Sequence, residues 1–300
     1  MDEQQVLAER FETHRGRLRA VAYRMLGSVS EADDALQESW LRISRADASD
    51  VENMGGWLTT VVARVCLNML RTRKSRREEL LYAHVPEPIL DREDGIDPEH
   101  EVLLGESVGL ALFVVLETLA PAERVAFVLH DVFAVPFDEI APIVGRSPTA
   151  ARQLASRARR RIRAVTPVPD PDLREQRPVV DAFLAAVRGG DFDGLLAVLD
   201  PDVVLRADGG AIWVGATREL RGAETVARSA LTITRRLTGF DVQHALVNGA
   251  AGIVSWNEEG QLFSVMGFTV RGGRIVEIDV LADPERLRQL DLTALHRGDL

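Results

Sequence analysis

Two all-α modules, the second a helix-turn-helix, followed by an α+β domain: this is the multidomain architecture that the 300-residue sequence predicts. Three observations predict it. Apolar residues recur at three- and four-residue steps in segments before residue 165, the spacing of helices that bury one stripe. Proline-rich stretches interrupt the pattern at 78–100 and 166–174, as linkers do. Beyond the second break, short helical patterns give way to strand-length apolar runs separated by turn residues. The expected boundaries are 1–77, a linker 78–100, 101–165, a linker 166–174, and 175–300.

In the first module, Leu7, Phe11, Leu18, Val21, Ala22 and Met25 carry helical spacing. Gly27 and Ser28 end that helix. Ser30 is the expected cap of the next, with Glu31, Asp33 and Asp34 in the first turn, where the helix dipole favours negative charge. Ala32, Ala35, Leu36 and Ile43 form its core face, and Asp34, Gln37, Glu38 and Leu41 share another. Acids and a glutamine around one leucine suit docking to a basic helical partner; an ordinary solvated acidic face is the alternative. A loop, 46–56, leads to a third helix that starts near Trp57 and ends in the cluster Arg71, Arg73, Lys74, Arg76 and Arg77. The single cysteine, Cys66, lies in this apolar run and reads as a small core residue.

The first linker carries Pro86, Pro88, Gly95 and Pro98 among many acids and reads as unpacked chain. In the second module an apolar run, 108–119, precedes a helix opened by Pro121. A short helical run from Pro136 to Val144 then meets Gly145 and a second helix, 147–163. Ser147 can cap that helix, and Pro148 suits its first position, where no backbone donor is needed. Ala151, Leu154, Ala155, Ala158 and Ile162 form the buried stripe, leaving Thr149, Arg152, Gln153, Ser156, Arg157 and Arg160 outward. Arginine and glutamine read base edges and grip phosphates in a major groove. An arginine-rich solvated helix is the bland alternative; Arg159 and Arg161 are expected on phosphates or solvent.

After the second linker, 178–187 and 192–199 read as helices and 203–206 as a strand. A helix over 223–237 follows, then strands over 242–247, 252–256, 262–270 and 274–280, the last two joined by a Gly272-Gly273 hairpin turn. Helices followed by an antiparallel meander make an α+β domain.

The net charge of −10 disguises two basic clusters, at 71–77 and 152–163, in an acidic chain. Two phosphate-attracting spots on an anionic remainder resist loose DNA binding. No apolar run approaches a membrane span, the N-terminus is unlike a signal peptide, and one cysteine excludes an intramolecular disulfide or a cysteine zinc site. The cytoplasm is expected, with no membrane association. No HExxH, phosphate-binding glycine loop or nucleophile elbow occurs, and no cofactor is expected.

Glu31–Ile43, EADDALQESWLRI, resembles the core-binding helix of sigma-70 family initiation factors, and the third helix resembles their promoter-melting region. With the helix-turn-helix this is the layout of an extracytoplasmic-function (group IV) sigma factor. The C-terminal segment resembles a SnoaL-like cone, as in the SigJ-like subfamily. That subfamily's WLPEP stands here as His84-Val85-Pro86-Glu87-Pro88. Its DGGGK stands as Asp208-Gly209-Gly210-Ala211-Ile212, without the lysine, and its NPDKL as Asp283-Pro284-Glu285-Arg286-Leu287 following Ala282.

The resemblance implies partners and sites. Core RNA polymerase would meet Asp34, Gln37, Glu38 and Leu41. The minus-ten promoter DNA would meet the loop 50–55 with Asn53, then Trp57, Arg64, Asn68, Arg71, Arg73 and Lys74. The minus-thirty-five element would meet the outward face of the second helix of the helix-turn-helix. The acidic linker would thread the polymerase cleft. His84, Pro86, Glu87, Pro88, Asp208, Gly209, Gly210, Asp283, Pro284 and Leu287 would make regulatory contacts, the free chain being a monomer. Two other readings stay open: a free-standing helix-turn-helix regulator whose C-terminal domain senses a small-molecule ligand, and a pocket enzyme using Asp208 and His244 beside Trp213 and Trp256.

Overall fold

The structure, a computed structural model, describes residues 3–46, 51–77, 85–92, 95, 97–104, 110–165, 170, 172–209, 218–234 and 239–295. In chain order the elements are α1 (Glu3–Leu26), α2 (Val29–Ile43), α3 (Met54–Arg77), β1 (Leu90–Asp91), α4 (Pro98–Leu104), α5 (Leu110–Glu117), α6 (Pro121–Phe127), a π-helical turn (Val128–Val132), α7 (Phe137–Val144) and α8 (Pro148–Val165). Then follow α9 (Leu173–Gly189), α10 (Phe192–Val198), β2 (Leu199–Asp208), β3 (Arg218–Arg221), α11 (Ala223–Thr234), β4 (Asp241–Val247), β5 (Ala250–Trp256), β6 (Leu262–Arg271), β7 (Arg274–Leu281) and α12 (Pro284–Leu287).

Two compact units result: 1–81 with 101–103 and 115–165, and 82–100 with 104–114 and 166–300. The first helical module and residues 115–165 of the second therefore fall in one unit. In that unit α1, α2 and α3 pack together, and every core residue expected on α1 and α2 is buried. Ser28, and not Ser30, caps α2: its hydroxyl accepts the Glu31 N–H at 3.1 Å. Gly27, at φ +75°, turns the chain immediately after α1, so the helix starts at Val29 and Ser30 already lies inside its first turn. Pro121 opens α6, and α3 packs against α6 and α7. Gly145, at φ +68°, closes α7 as the turn between the two helices requires. On α8, Ala151, Ala155 and Ala158 are fully buried, while Leu154 and Ile162 are half-buried.

The second unit is a seven-stranded sheet in the order β1-β4-β5-β6-β7-β2-β3. Strands β4 to β7 form the expected antiparallel meander; β2 lies parallel to β7, and β3 pairs with β2. Side chains alternate between faces. One face packs Ile253, Phe268, Val270 and Ile278 against Val180, Phe183 and Leu184 of α9, Leu195 of α10 and Val226 of α11. The other packs Ala245, Val247, Val254, Trp256, Val265 and Leu281 against Val85, Leu90, Leu110, Leu287 and Leu290. Gly272 and Gly273, at φ +58° and +73°, make the hairpin turn between β6 and β7.

The unpacked-linker expectation is corrected for 85–91, all of which is buried. Ile89 and Asn248 exchange hydrogen bonds, Asn248 N–H to the Ile89 carbonyl at 2.8 Å and Ile89 N–H to Asn248 Oδ1 at 3.0 Å. Leu90 and Asp91 then pair with β4. Prolines suit such a segment, because an added edge strand needs few donors. Val85, Ile89 and Leu90 bring enough apolar surface to outweigh the acidic composition around them.

Candidate functional site

Asp34, Gln37, Glu38 and Leu41 are all exposed on α2, with Leu41 at 52%. Ala32, Ala35, Leu36, Ser39 and Ile43 are buried on the opposite side. An exposed apolar side chain therefore stands among acidic and polar neighbours on this face. Glu38 is bridged to Arg42 one turn on, at 2.8 Å, a solvated pair that contributes little to stability.

On α3, Arg64, Asn68, Arg71 and Lys74 are exposed at steps of four, three and three, so they form one continuous polar stripe. Trp57, at the head of that stripe, is half-buried. Asn53 acts as a helix cap: its Oδ1 accepts the Gly56 N–H at 3.0 Å. Asp50, from the same expected loop, lies outside the described residues. Arg73 departs from the stripe. Its guanidinium donates to the Leu26 carbonyl at 3.0 Å and to Glu117 at 3.1 Å, and pairs with Glu31. Arg124 reaches the same Glu117 carboxylate at 3.1 Å, with its side chain 3% exposed. Arg73 thus ties α3 to three other helices; its neighbours in sequence gave no sign of this, because the partners lie 42 to 47 positions away. Burial pushes the Cys66 thiol up to about 12, leaving an inert core group.

On α8, Thr149, Arg152, Gln153 and Arg160 are exposed and Ser156 half-buried. Ser147 Oγ accepts the Ala150 N–H at 3.3 Å, the expected cap. Arg157 and Arg161, one turn apart, both grip Glu123, at 2.9 and 3.4 Å, and Arg159 pairs with Asp131 at 2.6 Å. Arg157 is therefore engaged by its own protein.

In the sheet unit three distant segments meet at one carboxylate. Asp208 Oδ2 accepts the Val85 N–H at 3.3 Å and is bridged to Arg286 at 2.5 Å. Asp283 caps α12, accepting from Glu285 N–H at 2.8 Å and Arg286 N–H at 3.4 Å, with Pro284 at the first position. Leu287 joins Val85 in the apolar layer beneath, and Pro86, Glu87, Pro88 and Gly209 are buried. His84, Gly210 and Trp213 lie outside the described residues. The Val85 and Arg286 contacts were not foreseen, although both residues sit inside the motifs quoted.

The acid–base pairing of Asp208 with His244 is corrected. His244 is exposed and lies 3.4 Å from Asp181 of α9, on the helix-covered side of the sheet. Asp208 and Trp256 belong to the opposite face. Strand alternation separates them, so they cannot act on one substrate. Among the described residues, no group of three or more His, Cys, Asp or Glu could hold a metal ion, and no helix is long and apolar enough to cross a membrane.

Comparison with known proteins agrees with this layout. Residues 10–76 match Sigma-70 region 2, 110–162 match Sigma-70, region 4, and 180–278 match a SnoaL-like domain. The ECF RNA polymerase sigma factor SigJ of Mycobacterium tuberculosis is 39% identical over 92% of this chain and 91% of its own length. The same organism's probable ECF RNA polymerase sigma factor SigI is 34% identical over 97% and 98%. The crystal structure of SigJ superposes with a TM-score of 0.76 at 36% identity, covering 95% of this chain and all of that one. Region 2, region 4 and the SnoaL-like domain follow one another as in relatives matched almost end to end, and the chain belongs to the extracytoplasmic-function sigma factors, non-enzymatic subunits that direct RNA polymerase to promoters.

Proposed function

We propose that the α2 face docks on core RNA polymerase, the α3 stripe holds the minus-ten element as it opens, and the outward face of α8 reads the minus-thirty-five element. The observation that carries this is the pair of separate exposed stripes, Arg64-Asn68-Arg71-Lys74 and Thr149-Arg152-Gln153-Arg160. A free-standing regulator would give the first stripe and the α2 face nothing to do. Arg73 and Arg157 are the least suited of the expected DNA contacts, since protein carboxylates already hold them. The chain works in the cytoplasm, where the polymerase is, as a monomer when free.

The compact helical unit adds a constraint. The two promoter elements are about 25 base pairs apart by their names, roughly 85 Å of duplex at about 3.4 Å per step. The 24-residue helix α3 spans only about 36 Å at 1.5 Å per residue. With α3 packed on α6 and α7, the unit must open before both elements are held. The SnoaL-like domain biases that opening through the segments clamped at Asp208.

The test is reconstituted transcription with purified core enzyme. Leu41→Asp should abolish co-purification with the core. Asp208→Ala should change the yield of transcript without changing core binding. Failure of the unaltered chain to bind core would overturn the whole reading; an Asp208→Ala chain transcribing as before would remove only the regulatory part.

A further inference from the structure

We infer that Phe137 is a positioning residue for promoter recognition, its ring fixing the Arg152 guanidinium for a base contact while leaving every N–H donor free. The inference rests on the reading of α8 as the helix that enters the major groove, and says how one of its residues is held there.

The arginines of α8 are restrained in two ways. Arg157, Arg159 and Arg161 are held by carboxylates, which occupy the same donors that a base or phosphate would need. Arg152 is different. Its Cζ lies 5.3 Å from the centroid of the Phe137 ring, and among the described residues it makes no hydrogen bond or ion pair. A cation–π contact with an aromatic face restricts where the guanidinium sits before binding, yet it uses none of the five donors. A bidentate contact to guanine needs two of those donors, in plane and unspent. Of these four restrained arginines, Arg152 is the one prepared without being occupied.

The ring itself is fixed from behind. Phe137 is the first residue of α7 and packs against His130, with ring centroids 3.9 Å apart and planes inclined at 31°. His130 belongs to the π-helical turn, and its Nδ1 lies 3.1 Å from the Val135 carbonyl, which can only accept, so Nδ1 carries the hydrogen. The turn is closed by Phe133 N–H to Val128 O at 3.2 Å, Ala134 N–H to His130 O at 3.1 Å and Val135 N–H to Leu129 O at 2.9 Å, with Ala134 at φ +55°. A π-turn is a rare local irregularity, frequently found at functional sites. Here it sets His130 under Phe137, and Phe137 under Arg152.

The experiment uses holoenzyme assembled from the full chain and a promoter library randomised over the upstream element. Arg152→Ala should erase the preference at one base pair. Phe137→Leu, which keeps an apolar side chain and removes the aromatic face, should weaken that same preference about two- to fivefold and leave the others as they were. Phe137→Tyr should restore it, and Phe137→Leu should add nothing in the Arg152→Ala background. Phe137→Met is a second test should the leucine variant fold poorly, and it must repeat the leucine pattern. An unchanged preference in both apolar variants, or an equal loss on every sequence, overturns the inference. An Arg152→Ala chain with all its preferences intact overturns the reading of Arg152 as a base reader, and the inference with it.

Discussion

In the helical unit, Arg73 and Arg124 share the Glu117 carboxylate, and Arg73 also pairs with Glu31. In the sheet unit a single guanidinium, Arg206, faces Glu277 at 3.1 Å, Asp279 at 3.3 Å and Glu219 at 3.5 Å. Both clusters bury arginine, but among the described residues the first sets two acids against two cations, whereas the second sets three acids around one cation. Arg221 lessens the excess by binding Glu219 at 2.6 Å from the exposed edge. The remainder has a consequence at neutral pH. Burial pushes the Asp279 carboxyl up to about 7, against the pull of Arg206, and pushes Glu277 in the same direction. A balanced buried network holds a structure in one way across the physiological range; an unbalanced one exchanges a proton within it.

The largest effect that separates the two clusters is expected at Glu117. Glu117→Ala removes the carboxylate shared by two guanidiniums, one of them almost fully buried. A loss of about 3–5 kcal/mol is expected in the helical unit's denaturant transition, with little change in its slope against pH. A loss below about 1 kcal/mol would show that this network merely decorates the packing.

The second effect is the pH dependence of the sheet unit. Asp279 has a folded value above its ordinary 3.8, so its favourable contribution is complete below about pH 4 and is lost as pH rises through about 7. Stability should fall across that window by up to about 1.4 kcal/mol per pH unit, and be flat above it as far as this group is concerned. Asp279→Asn should flatten the slope and leave the variant the more stable chain at about pH 8. Thermal melts over that range decide; a slope unchanged by the substitution would move the proton elsewhere.

A smaller effect belongs to His100, bonded to the buried Asp91 at 2.7 Å. The hydrogen bond to Asp91 raises its titration above 6.5, against partial burial, with Asp97 and Asp291 adding in the same sense. Its contribution is present below about 6.5 and lost as pH rises past the raised value. His100→Gln should remove a shallow slope that begins near pH 6.5 and runs up through the raised value, and this slope should persist in Asp279→Asn. If the glutamine variant kept that slope, the docked segment would not depend on this pair.

How far each region could be read beforehand follows the same contrast. The buried stripes of α1, α2 and α8 were legible because helix periodicity is local, and so was the Gly272-Gly273 turn. The turn between β4 and β5 carries an equally local signal: Asn248-Gly249, with φ of +52° and +76°, is a strong short hairpin pair. Strand β3 was not legible, since four residues with three charges show no apolar alternation. Arg73 looked like one more cation in a basic run. Only its contacts withdraw it from the stripe that Arg71 and Lys74 belong to.

The sequence by itself determined the longer helices, the helix-turn-helix, the meander and the order of the modules, since each depends on residues within a few positions of one another. Tertiary structure alone decided that 85–91 joins the sheet, that Asp208 clamps Val85 across 123 positions, and that His244 and Asp208 stand on opposite faces. Those outcomes turn on which buried polar groups find partners, and a partner far away in the chain leaves no periodic trace.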